Sequence, residues 1–336
     1  MNFEERMHSF RQLGQKLIAT DTTALNALYE RAGNRNPWFT PESIHTALTG
    51  VCKLLREEEL HNWMASYRWN DRTPPKTIAL ILAGNIPLVG FHDILTVLIT
   101  GNRALIKPSS KDQVLIDFVI RLLIEIEPRF REFISFAEIL KNFDAVIATG
   151  SDNSSRFFQH YFGKYPSIIR KNRTSCAILT GSESVEESTA LGRDIFTYYG
   201  LGCRNVSKLF VPTGYEFGAL VKSWNEYRNV IHHHKYLNNY EYQKAILLVN
   251  KTPFLDTGYL LLTPNEKPVS PVSVVYYKEY TSESDLSHFI DSGRTKIQCT
   301  IGNHPLATVP FGEAQFPGPA DYADGVDTVR FLIGLN

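Results

Sequence analysis

Through roughly the first seventy positions hydrophobic residues recur at helical spacing, and then the pattern changes. Ile44, Leu48, Val51, Leu54 and Leu55 fall on one face of a helix that starts near Ser43, just after Pro41 and Glu42. This helical opening ends near Thr73-Pro74-Pro75. Beyond it, short apolar runs alternate with longer amphipathic ones, the alternation of strand and helix that builds a parallel sheet. The runs predict strands at 78–83, 104–106, 133–136 and 145–148, and helices over 89–98, 112–126 and 154–161. A second series follows, with strands at 176–179, 208–211, 259–262, 273–277 and 297–301 and helices over 185–199, 217–229 and 240–249. Turn residues cluster at Gly181-Ser182-Glu183-Ser184, which is where a crossing between two α/β domains is expected. The expected division is 1–180, a helical segment plus a nucleotide-binding domain, and 181–336, a second domain with a C-terminal tail.

The apolar stretch 78–106 is long enough to suggest a membrane span. Gly84-Asn85, Pro87, His92-Asp93 and Gly101-Asn102 interrupt it, so buried elements joined by turns are expected instead. The N-terminal Met-Asn-Phe-Glu-Glu-Arg lacks the order of a signal peptide, which points to the cytoplasm. Thirty-five Lys plus Arg balance thirty-five Asp plus Glu over 336 residues, with 43% hydrophobic residues. That balance argues against nucleic acid as a partner. Cys52, Cys176, Cys203 and Cys299 are scattered, so neither a disulfide framework nor a metal site is indicated. His232-His233-His234 reads as a solvated turn, because three consecutive residues cannot all face one ion. Asp93, Asp144, Glu183 and Glu313 have no partner at a recognisable spacing and are expected at the surface or in caps.

Ligands of open α/β sheets bind at the carboxyl ends of the strands. Three such ends carry suitable groups: Ala83-Gly84-Asn85-Ile86-Pro87, then Lys107-Pro108-Ser109-Ser110, then Thr149-Gly150-Ser151-Asp152-Asn153-Ser154. Each offers glycine, amide, hydroxyl or cation before a helix, where a phosphate would sit. Small polar residues also cap helices in every protein; their recurrence at three strand ends favours a nucleotide. The G-x-G-x-x-G signature is absent from the first turn. Among the cysteines, Cys203 stands apart in Tyr199-Gly200-Leu201-Gly202-Cys203-Arg204-Asn205, where two glycines admit a ligand and Arg204 favours a thiolate. It is the candidate nucleophile; the other three read as buried small hydrophobes.

From about residue 78 onward the order of these loops resembles the aldehyde dehydrogenase superfamily. The closer likeness is to its acyl-CoA reductase branch, typified by the fatty acid reductase of bacterial bioluminescence. Asn85 before Pro87 matches the family's oxyanion asparagine, and Gly101 to Ser109 the segment whose lysine, here Lys107, reaches the adenosine ribose. Thr149-Gly150-Ser151 is similar to the pyrophosphate-contacting Gly-Ser, Cys203 to the catalytic cysteine, and Pro310-Phe311-Gly312 to a late Pro-Phe-Gly segment. The resemblance implies an α/β, aldehyde dehydrogenase-like fold, with a Rossmann-like cofactor domain and a catalytic domain holding Cys203.

The departures matter as much. Hydrolytic members carry Glu-Leu-Gly-Gly at the domain crossing, and Ile178-Leu179-Thr180-Gly181 stands against it here, with no base to activate water. A Glu-x-Phe-Gly-Pro segment that contacts the nicotinamide ribose is matched only by Lys267 to Pro271, with Glu266 one place off. Relatives that prefer NAD often have glutamate three residues after the lysine; Ser110 and then Lys111 stand here, which favours NADPH over NADH. The implied activity is NADPH-dependent reduction of an acyl-CoA to the aldehyde through a thioacyl-Cys203 enzyme, with Lys107, Ser110, Gly150 and Ser151 on the cofactor. Two other readings stand beside it: the same enzyme running oxidatively as a CoA-acylating aldehyde dehydrogenase, and a noncatalytic nucleotide- or acyl-binding domain. Arg72 to Lys76 runs straight into the first strand, without the family's oligomerising hairpin, and 328–335 is expected to offer an edge strand to a homodimer partner.

Overall fold

In the computed structural model, which describes residues 1–68 and 73–335, the chain opens with α1 (Phe3–Ile18), α2 (Thr22–Arg35), α3 (Pro41–Leu54) and α4 (Glu57–Met64). An alternating series follows: β1 (Thr77–Ile81), α5 (Phe91–Ile99), β2 (Arg103–Lys107), α6 (Gln113–Ile126), β3 (Ile134–Phe136), β4 (Ala145–Thr149), α7 (Asp152–Phe162) and β5 (Ser167–Arg170). The second series comprises β6 (Thr174–Ile178), α8 (Val185–Phe196), β7 (Val206–Pro212), α9 (Phe217–Ser223) and α10 (His234–Val249). It continues through β8 (Leu255–Asp256), β9 (Leu261–Pro264), β10 (Val274–Tyr280), α11 (Glu283–Gly293) and β11 (Ile297–Ile301), and α12 (Thr328–Ile333) closes the chain.

Two compact units divide at Asn172 and Arg173, and the chain from Pro317 onward rejoins the first. The boundary expected at 180/181 is therefore displaced. β6 pairs with β7 and β11, so the strand before the Gly-Ser-Glu-Ser turn already belongs to the second sheet.

The first unit holds a fully parallel sheet in the order β3-β2-β1-β4-β5. The apolar stretch 78–106 is β1, α5 and β2. Phe91, Ile94, Leu95, Val97, Leu98 and Ile99 are all buried on α5, which lies against β1 and β2 and against α1 and α12. Covered on both sides, α5 has no polar face to show, and full burial of each such side chain contributes about 1.5–3 kcal/mol. No helix among the described residues is long and apolar enough to cross a membrane. Asn2 and Glu5 form a capping box on α1. The cap of α3 is Thr40 rather than Ser43, with Pro41 in the first turn. β1 begins at Thr77; of the stretch read as running straight into it, Arg72 lies outside the described residues.

Asp93, expected at the surface, is instead buried on α5. Arg170 Nη1 donates to both its oxygens at 2.7 and 2.6 Å, and Arg170 Nη2 donates to Thr328 Oγ1 at 3.0 Å. The residues expected to form an edge strand are thus a helix, α12, capped by Asp327 and burying Val329 and Leu332 three positions apart. A second tether reaches the same segment. Trp63 Nε1 donates to the Tyr322 hydroxyl at 2.6 Å, that hydroxyl lies 2.7 Å from the Tyr67 hydroxyl, and Tyr67 donates to Asp327 Oδ2 at 3.0 Å.

In the second unit the sheet order is β11-β6-β7-β10-β9-β8, parallel except for β8 against β9. α8 carries the fully buried Asp194, which accepts from Gly312 N at 2.6 Å and Ala314 N at 3.0 Å. Burial pushes its carboxyl pKa up to about 6, against the pull of those two N–H groups.

Removing Asp93 leaves a buried guanidinium uncompensated. Asp93→Ala is expected to cost about 3–5 kcal/mol, measured by chemical denaturation. Asp194 has the opposite sign from a salt-bridged carboxylate: its folded pKa lies above the usual 3.8. Its contribution therefore falls as pH rises from about 4 to about 6 and is level beyond. The melting-temperature gap between wild type and Asp194→Asn is expected to shift across that window; an identical gap at pH 4 and pH 7 contradicts the assignment.

Candidate active site

Parallel pairing brings three of the sequence-predicted loops to one edge of the first sheet. β2, β1 and β4 are neighbours, so their carboxyl ends, and the loops after them, lie side by side. The strand order reverses between β1 and β4, the position where open α/β sheets bind ligands. Gly84 owes its identity to close approach rather than to a positive φ. A Cβ there would stand 2.4 Å from Ser109 Oγ, so the loop after β2 crosses directly over it. The left-handed residue of the first loop is Leu88, at φ 56°. Asn85 is exposed between the two, as are Lys107 and Ser110 at the end of β2.

Gly150 is also a packing glycine. A Cβ would stand 2.8 Å from the Phe158 ring and 2.9 Å from Ser154 Cβ, so α7 seats directly on the end of β4. Ser151 is the N-cap of α7, its Oγ accepting from Ser154 N at 3.1 Å. Gly150 N donates to Arg170 O at 3.3 Å, tying this loop to the end of β5.

Asp112, two residues beyond Ser110, is buried just before α6, and neither carboxylate oxygen makes a hydrogen bond of good geometry among the described residues. Burial pushes its pKa well above the usual carboxylate range, outweighing the Leu88 backbone N–H. Burial thus favours its uncharged form. Lys107 and Lys111 are the cations of the same loop, and both are exposed.

Cys203 lies in the second unit, half-buried in the turn that leads into β7. The turn is built on Asn205, which is buried with its amide fully committed. Its Oδ1 accepts from Gly202 N at 2.8 Å, and its Nδ2 faces the carbonyls of Asp194, Ile195 and Thr197 at 3.0, 3.3 and 2.8 Å. Ser175 Oγ donates to Cys203 O at 3.1 Å. The approach is left-handed at three consecutive residues, Tyr198, Tyr199 and Gly200, with φ of 53°, 58° and 78°. Such backbone persists only where surroundings hold it. Part of that support is the histidine tract: the His233 ring lies 4.5 Å from that of Tyr199. Cys176 and Cys299 are buried as expected, while Cys52 is half-buried.

Lys208 on β7 is buried and donates to the carbonyls of Asn265, Glu266 and Lys267 at 2.8, 3.0 and 3.3 Å. It fixes the loop set against the family's ribose-contacting segment. Burial lowers its pKa to about 8. The Glu266 carboxylate pairs with Lys278.

Two sequence expectations shift here. Ile178 to Gly181 ends β6 and turns inside the second unit, so it is not the crossing. The crossing residues are Arg170-Lys171-Asn172-Arg173, which contain no carboxylate either. Glu183 closes the turn after β6, accepting from Thr180 Oγ1 at 2.8 Å and Gly181 N at 3.2 Å. Pro310-Phe311-Gly312 is held by Asp194 through Gly312 N. Sequence reasoning missed Asp112, Asp194, Asn205 and Lys208. The one signal available was a polar residue within or beside an apolar run, which by itself does not say what it holds.

A family model described as acyl-CoA reductase (LuxC) matches residues 1–220. A long-chain acyl-protein thioester reductase of Photorhabdus laumondii is 23% identical over 190 residues, covering 51% of this chain and 39% of that protein. Another of the same description from Aliivibrio fischeri is 21% identical over 281 residues, covering 73% and 57%. The chain thus spans between two-fifths and three-fifths of the length of these curated relatives. Among solved structures, the aldehyde dehydrogenase KauB from Pseudomonas aeruginosa aligns with a TM-score of 0.65 at 11% identity, over 90% of this chain and 72% of that one. The NAD+ complex of an aldehyde dehydrogenase from Bacillus cereus aligns with 0.61 at 13%, over the same shares. With two-thirds of its length matched by one family model and its fold shared with these structures, the chain belongs to the acyl-CoA reductase (LuxC) family and has the aldehyde dehydrogenase fold.

Proposed function

We propose that the chain reduces an acyl thioester, fatty acyl-CoA in the first instance, to the aldehyde, with NADPH as reductant and Cys203 as nucleophile. The observation that carries this reading is the Cys203 turn: a half-buried thiol whose backbone is held by Asn205 and Ser175 and approached through three left-handed residues. So constrained a backbone around a cysteine is hard to explain by packing alone.

The first unit's residues fit a dinucleotide. Lys107, Ser110, Gly150 and Ser151 stand at adjacent strand ends beside the reversal of strand order, and Gly150 leaves bare backbone at the start of α7. When bound, the cofactor supplies the hydride that reduces the thioacyl carbon. The Cys203 thiolate attacks the acyl carbonyl, the carrier leaves as its thiolate, and the acyl group remains on Cys203 Sγ. Asn85 takes the oxyanion-donor role implied by its place after β1; losing such a donor typically costs on the order of 3 kcal/mol of transition-state stabilisation. Neither Ile178 to Gly181 nor 170–173 contains a carboxylate to match the glutamate of the hydrolytic members, so the thioacyl group survives until it is reduced. NADPH is favoured because the loop after β2 carries Lys107 and Lys111, with the neutral Ser110 between them. The curated relatives are described as acyl-protein thioester reductases, which favours a second donor, an acyl group on a protein thiol. The same attack by Cys203 serves it.

Incubated with acyl-CoA and no cofactor, wild type is expected to gain one acyl mass and Cys203→Ala none, with reduction lowered at least about a thousandfold in the variant. Equal labelling of both removes Cys203 from the role. Initial reduction rates are expected to be about tenfold or more higher with NADPH than with NADH at equal subsaturating concentration, and the reverse order contradicts the charge argument.

A further inference from the structure

Residues 153–182 contain no Asp or Glu and five Lys or Arg, in a chain whose charges balance overall. Two of the five are already satisfied: Arg170 by Asp93, and Arg173 by the carbonyls of Arg294 and Ile297. Arg156 and Lys171 are not. Both are exposed, and neither has a carboxylate partner among the described residues. They come together in one groove of the first unit, about 390 Å³ in volume, lined by Ser155, Arg156, Gln159, His160 and Lys171. The outer turns of α7 form one wall and the chain just past β5 the other. Gly150 N bonded to Arg170 O joins the loops at the head of these two walls.

Two uncompensated cations, an imidazole and an amide on a concave surface select an anion with several acceptor oxygens. The volume lies within the range of about 300–1,000 Å³ usual for small-molecule sites. We infer that this groove binds the 3′-phosphate end of coenzyme A, with Arg156 and Lys171 on the 3′-phosphate. This rests on the thioester reading above and goes beyond it by giving the carrier its own recognition site, separate from Lys107 and Ser110. Arg156 and Lys171 are binding residues here, with no part in the chemistry at Cys203.

The test is calorimetric titration of the full chain with CoA and with dephospho-CoA, which lacks only the 3′-phosphate. Wild type is expected to bind CoA about tenfold more tightly. In Arg156→Gln/Lys171→Gln that gap closes, while the affinity for NADPH and the melting curve stay at wild-type values. In turnover the double variant is expected to show a raised KM for acyl-CoA at unchanged kcat and unchanged KM for NADPH. Equal binding of the two CoA forms by wild type overturns the inference. So does a double variant that still prefers CoA, or one that loses NADPH affinity instead, since the groove then serves the cofactor. If CoA binds with the expected gap but acyl-CoA is not reduced, the groove stands and the reductase reading falls. If acyl-CoA is reduced with the same KM by wild type and variant, the reverse holds.

Discussion

Arg170 and Asp93 are charges buried against each other, and the architecture of the first unit follows from the need to keep them so. A guanidinium taken out of water must be matched in position as well as in charge. Its two contacts to Asp93 fix α5 against β5, and its third, to Thr328, requires that the chain return after the second unit to place α12 there. The Trp63–Tyr322–Tyr67–Asp327 hydrogen bonds then fasten the same return to α4 and the residues after it. With α5 held on both flanks, the strand ends that carry Asn85, Lys107 and Gly150 keep one fixed edge.

The second unit uses neutral and single-charge nodes for the same purpose. Asn205 satisfies carbonyls at the end of α8 and a backbone N–H of the Cys203 turn at once. Asp194, on the same helix, reaches the other way to Gly312 and Ala314. Lys208 does for the 265–267 loop what Asn205 does for the turn. In each case a buried polar group with several bonds fixes loops that have no regular pairing of their own.

Periodicity made the sheets legible because each strand buries an apolar run and each helix a stripe, and both leave local marks. The order of loops along the chain made the family legible for the same reason. What stayed hidden depends on contacts between residues far apart in sequence. Asp93 and Arg170 are 77 positions apart, and neither looks unusual alone. The 328–335 stretch reads as an edge strand because eight residues carry too little pattern to separate the two periods, and only the partner α5 decides it. The unit boundary was misplaced because turn residues mark a bend, whereas strand pairing decides which sheet a strand joins.

The return of the chain to the first unit has a consequence for biosynthesis. Residues from Pro317 onward leave the ribosome after all of Arg173–Phe316, yet they complete the unit that was begun first. All five strands of the first sheet have emerged by then, but α12 has not, so the Arg170 guanidinium lacks its Thr328 contact until the second unit is fully synthesised. The unit that carries Cys203 is free to mature before the one encoded ahead of it.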